Sequence, residues 1–189
     1  MEAYTREKRY TYADWANWPD DERWELIGGV PHLMAPPLTD HESVSGELYL
    51  QIGSFLRDKP CRVFHAGFGV RLNPDGADDT ILLPDLTVVC DPSRLSKYGC
   101  EGAPDMVAEI LSPSTSARDK IYKFDCYLKS GVKEYWIVDP KDQTVSVHLL
   151  NNGQYVIHVY GEGGRAPVSV LPGCEIDLQE LFKYNTLEE

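Results

Sequence analysis

Apolar and polar positions along the chain predict a mixed α/β protein. Arg23-Trp24-Glu25-Leu26-Ile27 and Val30-Pro31-His32-Leu33-Met34 are two short apolar runs around Gly28-Gly29, the pattern of a β-hairpin. From Thr39 to about Arg57, Val44, Leu48, Ile52 and Phe55 recur at helical spacing, and Thr39 followed by Glu42 has the form of a capping box. Strand-like runs follow at Arg62-Val63-Phe64 and Gly69-Val70-Arg71-Leu72, closed by the turn formers Asn73-Pro74-Asp75-Gly76. Ile81 to Val89 is almost continuously apolar, as a strand covered on both faces would be, and Met106 to Leu111 reads the same way. A polar loop from Asp91 to Pro104 lies between them. A second helix opens at Ser112 to Thr115, carries the stripe Ala117, Ile121, Phe124 and Leu128, and stops at Gly131. Lys133 to Val138, Thr144 to Leu149 and Gln154 to Tyr160 complete an antiparallel C-terminal meander, and Leu178 to Phe182 is a short last helix. This order predicts an α/β (α+β) mixed β-sheet flanked by helices. With no repeat or long linker to divide it, the expectation is a single domain over 1–189.

Composition narrows the function. The 189 residues hold 18 Lys and Arg against 30 Asp and Glu, a net charge of −12 that repels phosphate backbones at long range. A nucleic-acid partner therefore needs a local basic surface or a metal ion to offset the field. No apolar run approaches the roughly 18 residues that cross a bilayer, and the first residues do not read as a secretory signal, so no membrane role is expected. The five cysteines, Cys61, Cys90, Cys100, Cys126 and Cys174, are odd in number, scattered, and without a CxxC pair. That speaks against a disulfide framework or structural zinc and for a reducing, cytoplasmic location.

Two acids stand where acids are costly. Asp85 interrupts the Ile81–Val89 run and Glu109 the Met106–Leu111 run. An ionised carboxylate taken from water without a partner costs several kcal/mol, and two converging ones repel unless a cation lies between them. Hard oxygen donors favour Mg²⁺ or Mn²⁺ for that cation. Lys120 and Lys123 flank the apolar stripe of the following helix. Across Thr115 to Lys133, five cations (Arg118, Lys120, Lys123, Lys129, Lys133) against Asp119 and Asp125 leave a surplus of +3, the one basic surface legible in the chain. On pattern alone Glu25 reads as a surface acid of the hairpin, His41 as a helix-end residue, and His148 and His158 as members of exposed strand faces. No HExxH, GxSxG, Walker loop or GxGxxG occurs.

The run Pro84-Asp85, then Glu109-Ile110-Leu111-Ser112-Pro113-Ser114-Thr115, then Asp119, Lys123 and Tyr127, resembles the Uma-two family of restriction-endonuclease-like proteins in the PD-(D/E)XK nuclease superfamily. So does Gly131-Val132-Lys133-Glu134-Tyr135-Trp136-Ile137-Val138-Asp139-Pro140. The likeness runs from about Glu25 to Leu181-Phe182. It implies a restriction-endonuclease-like core that binds Mg²⁺ or Mn²⁺ at the ends of two central strands and hydrolyses phosphodiester bonds, with DNA as partner. Carried over, Asp85 and Glu109, with the Ile110 carbonyl, are the metal ligands, Glu25 is the additional acid and Lys123 the catalytic lysine. The superfamily's usual lysine slot, two residues after Glu109, holds Leu111, so the resemblance takes the lysine from the next helix, Lys123 first and Lys120 second. Two other readings stand beside this one. An inactive nuclease fold serving as a binding or assembly module fits the charge of −12, and a hydrolase of smaller phosphodiesters would tolerate it. A homodimer is a further expectation, with the strand edges of the meander as a place for the contact.

Overall fold

The computed structural model describes residues 8–19, 22–112, 119–161 and 163–184, of which 119 and 120 are placed by backbone only. Its strands form two mixed sheets and a two-stranded antiparallel ribbon. The hairpin forms as predicted: β1 (Trp24–Ile27) pairs antiparallel with β2 (Val30–Leu33). A short helix the pattern did not show, α1 (Tyr12–Trp15), precedes it. Then come α2 (Thr39–Phe55), β3 (Arg62–His65), β4 (Gly69–Arg71), β5 (Ile81–Leu82), β6 (Leu86–Val89), β7 (Gly99–Glu101) and β8 (Met106–Ile110). A π-turn (Asp119–Lys123) leads into α3 (Phe124–Ser130), followed by β9 (Glu134–Asp139), β10 (Thr144–Asn151), β11 (Gln154–Tyr160), β12 (Arg165–Pro167), β13 (Glu175–Asp177) and α4 (Leu178–Leu181). The first sheet runs β2-β1-β5-β4-β7 and the second β11-β10-β9-β8-β6-β3. Only β4–β7 and β8–β9 are parallel pairs in these two sheets. Among the described residues no helix is long and apolar enough to cross a membrane.

The continuous apolar character of β8 has a direct cause. Met106, Ala108 and Ile110 face a core built with Val44, Leu48 and Ile52 of α2 and with Leu178 and Leu181 of α4. Val107 and Leu111 face a second core shared with Val70, Leu82, Cys100 and Tyr127. A strand covered on both sides has no polar face to show.

Four local expectations change. Ile81 to Val89 is not one strand: Leu83-Pro84-Asp85 separates β5 from β6, and these belong to different sheets. Proline has no N–H for a ladder, so the chain leaves one sheet there and enters the other. Helix α2 starts at Thr39 with Leu38 as N-cap and no side-chain cap, so Thr39 and Glu42 form no capping box. The predicted stripe of the second helix fails at Ile121, which is 63% exposed, while Lys123 is buried. The wider π-turn shifts the inward face relative to a regular 3.6-residue period, and such turns recur at functional sites. Gly131, at φ 82°, ends α3 as expected. Finally, a disulfide joins Cys61 and Cys90. They continue the β3–β6 ladder beyond Arg62↔Val89 and so face each other directly, a proximity that scattered sequence positions do not reveal.

His148 also departs from its expected exposed face. It is 5% exposed, ringed by Phe124, Tyr135 and Tyr155 at 5.4–6.0 Å between ring centroids. Neither ring nitrogen has a hydrogen-bond partner among the described residues. Burial lowers its pKa to about 4 from 6.5. The unfolded chain then binds a proton that the folded chain refuses, so stability is complete above about pH 6.5 and falls as pH drops towards 4. At about 1.4 kcal/mol per unit the loss reaches about 3 kcal/mol at most. Urea unfolding of wild type and His148→Phe at pH 7, 5.5 and 4 should show a shallower decline for the variant; parallel declines would remove His148 as a cause.

Candidate active site

The β6–β8 ladder brings the two strand acids together. Leu86 pairs with Ala108, and Asp85, in the bend just before β6, accepts the Ile110 N–H, so it stands beside the end of β8 that carries Glu109. Glu109 lies on the side of the sheet that Val107 occupies, because alternate residues of a strand project to the same face. That is the face covered by α3 and the β1–β5 sheet, which supply the remaining members: Glu25 from β1 and Lys123 from the π-turn. The acids and Lys123 line one cleft, with Ile110 at its wall.

Each charge has a partner of its own. The Lys123 ammonium lies 2.9 Å from Glu25 Oε1 and 2.9 Å from Glu109 Oε2, with all three side chains at most 3% exposed. Tyr127 OH donates to Glu109 Oε1 at 2.6 Å. Burial, then the neighbouring Glu109 and Glu25 carboxylates, push the Tyr127 hydroxyl well above its usual pKa, so it remains a donor. Glu25 Oε1 also accepts the Leu83 backbone N–H at 2.9 Å, which ties β1 to the Pro84 break. Asp85 Oδ2 accepts the Ile110 N–H at 2.7 Å and lies 3.1 Å from His41 Nε2.

The residues singled out from sequence thus share a site, Glu25 among them, buried at 1% exposure rather than on the hairpin surface. The electrostatic premise needs revision. Lys123 already bridges Glu25 and Glu109, while Asp85 is held by a main-chain N–H and an imidazole, so the protein supplies counter-partners itself. Of the cations expected to form a basic surface along Thr115 to Lys133, Lys123 is buried in the cleft, while Lys129 and Lys133 are exposed and pair with Asp125 at 3.2 Å and Asp105 at 2.7 Å. Arg118, and the side chain of Lys120, lie outside the described residues. Three further residues join the site: Arg23 was not singled out from the sequence, and His41 and Tyr127 were named there without a role at the acids. His41 sits in the first turn of α2, Arg23 stands at the cleft wall just before β1, and Tyr127 follows Lys123 by one turn. The i, i+4 spacing of Lys123 and Tyr127 is the signal that could have placed both on Glu109.

The donor set fits a hard divalent ion. A carboxylate has about four lone-pair directions, so Glu109, which accepts from Lys123 and Tyr127, and Asp85 are hard oxygen donors side by side in the cleft. Both contacts to Asp85 fall on Oδ2, so Oδ1 takes none among the described residues. No group of three His, Cys, Asp or Glu side chains forms a ready cage among those residues.

Three comparisons bear on the whole chain. The sequence profile of the Uma2 family, described as "Putative restriction endonuclease", matches residues 10–179. A protein of uncharacterised function from Synechocystis, slr1290, is 24% identical over 146 residues, covering 76% of this chain and 75% of that one. A crystal structure of a DUF820 protein from Anabaena variabilis, described as a putative nuclease, superposes with TM-score 0.75 at 24% identity, over 93% of this chain and 99% of that one. The expected fold, a mixed sheet flanked by helices as in such nucleases, is therefore the observed one.

Proposed function

The chain belongs to the Uma2 family, and from that premise we propose that it is a divalent-metal-dependent endonuclease, built as one domain, that hydrolyses phosphodiester bonds of DNA. The observation that carries the reading is the convergence of Asp85 and Glu109 in one cleft, with Lys123 held against Glu109. Asp85 and Glu109, with the Ile110 carbonyl, are the residues that would hold Mg²⁺ or Mn²⁺. When bound there, the ion supplies polarisation of the scissile phosphate and a water of lowered pKa. Asp85 is aimed by the Ile110 N–H and by His41. Glu109 is aimed by Tyr127, and Lys123 is kept at the cleft wall by Glu25. An ammonium fixed in this way can stabilise negative charge developing on the phosphate without reorganising.

The acid lining of the cleft favours a second reading. Glu25, Glu42, Asp85 and Glu109 outnumber Arg23 and Lys123 there, which suits an inactive module or a smaller phosphodiester unless a divalent ion is bound. Incubation with supercoiled plasmid separates the cases. The endonuclease nicks it with Mg²⁺ or Mn²⁺ and stops on chelation. No cleavage, together with no Mn²⁺ binding by calorimetry at millimolar ion, establishes the module. Cleavage of a small phosphodiester but not of plasmid establishes the third case.

A further inference from the structure

Edge strands expose unpaired backbone donors and acceptors, and proteins ordinarily guard them with proline, charge, bulges or short length. The other edges of the two main sheets carry such guards. β2 has Pro31 at its second position, β7 has three residues, and β3 has four and starts at Arg62. β11 has none. Its seven residues, Gln154-Tyr155-Val156-Ile157-His158-Val159-Tyr160, include no Pro, Lys, Arg, Asp or Glu. Its ladder with β10 runs from Asn151↔Gln154 to Val145↔Tyr160 without a bulge. The hairpin turn at Asn152 and Gly153, both at positive φ, holds it to β10, and among the described residues no strand pairs with its other edge. Val156, Ile157 and Val159 are 44%, 54% and 65% exposed, so apolar side chains flank the open edge on both faces.

We propose that β11 pairs antiparallel with β11 of a second copy of this chain, joining two six-stranded sheets into one across a two-fold axis. The strand's fit to itself selects this occupant, and its lack of charge permits it. Two copies at −12 each repel, and an uncharged strand is where such surfaces can meet at least cost. The same feature argues against nucleic acid at this edge, which would need Lys or Arg. The strand is also suited to itself. An antiparallel register centred on Ile157 sets Tyr155 across from Val159, twice, and Val156 across from His158, twice. Aromatic and β-branched residues facing each other are favourable cross-strand pairs. Because an isologous contact closes on itself, it yields a dimer and no open fibre. The inference stands apart from the catalytic reading, since β11 contributes no side chain to the cleft.

Sedimentation equilibrium of the full chain tests it, on wild type and on Ile157→Lys/Val159→Lys, which adds charge at exposed positions and leaves both cores untouched. The expected result is a dimer in the micromolar range that weakens at least 100-fold in the variant, with unchanged circular dichroism. In an Ile157→Cys variant, oxidation should link the two copies at the axis and give a covalent dimer. A wild type that stays monomeric at 100 µM, or a dimer whose affinity the lysines leave unchanged, overturns the proposal.

Discussion

Replacement of Lys123 by methionine is expected to destabilise the protein by about 3–5 kcal/mol, because removing one partner of a buried ion pair strands the other charge. Here two are stranded. Glu25 and Glu109 share the ammonium at 2.9 Å each and are almost wholly out of water. Glu25 keeps the Leu83 N–H and Glu109 keeps Tyr127, which places the loss towards the lower end of that range. Methionine preserves most of the apolar stem, so packing changes little. Urea unfolding at pH 7 measures the effect, and a loss below about 1 kcal/mol would show that Lys123 does not neutralise the pair. Arginine should rescue it only in part, since the larger guanidinium must enter a site that a compact ammonium already fills at 3% exposure. If the same acids bind a divalent ion, Mn²⁺ should recover more stability in Lys123→Met than in wild type.

The second large effect concerns cleavage. Asp85→Asn and Glu109→Gln are each expected to lower the single-turnover rate at least about a thousandfold, roughly 4 kcal/mol at 1.4 kcal/mol per decade. Each exchanges a charged oxygen for an amide while keeping volume, so the folds should survive. Glu25→Gln should cost less. Its amide oxygen can still accept from the Leu83 N–H, and its role is to hold Lys123 rather than to bind the ion. Rates on a plasmid or oligonucleotide, paired with Mn²⁺ titration calorimetry, separate the two groups: Asp85→Asn and Glu109→Gln lose rate and ion affinity together, whereas Glu25→Gln keeps the affinity. Equal behaviour of all three would place Glu25 among the ligands, and an undiminished rate in Asp85→Asn would end the metal reading.

Helix α2 was legible because Val44, Leu48 and Ile52 repeat at helical spacing against one core. Asp85 and Glu109 were legible because acids inside long apolar runs are conspicuous, even though Asp85 sits in the bend between two strands. Glu25 could not be read that way. The hairpin's own pattern says nothing of the elements that cover it, and only the resemblance marked it. Ile121 and Lys123 misled for a different reason: a π-turn alters the period on which a helical projection depends. Cys61 and Cys90 were unreadable as a pair because their meeting rests on the β3–β6 register, which sequence spacing does not contain.

By itself, then, the amino-acid order determined which segments become strands or helices and which acids stand in greasy surroundings, since both follow from periodicity and solvation within a single element. Which cation neutralises those acids, which imidazole touches Asp85, and which strand edge is left open were decided only by the tertiary arrangement. Charge pairing and edge exposure depend on distances between elements far apart in the chain, and those distances come into being when the two sheets pack.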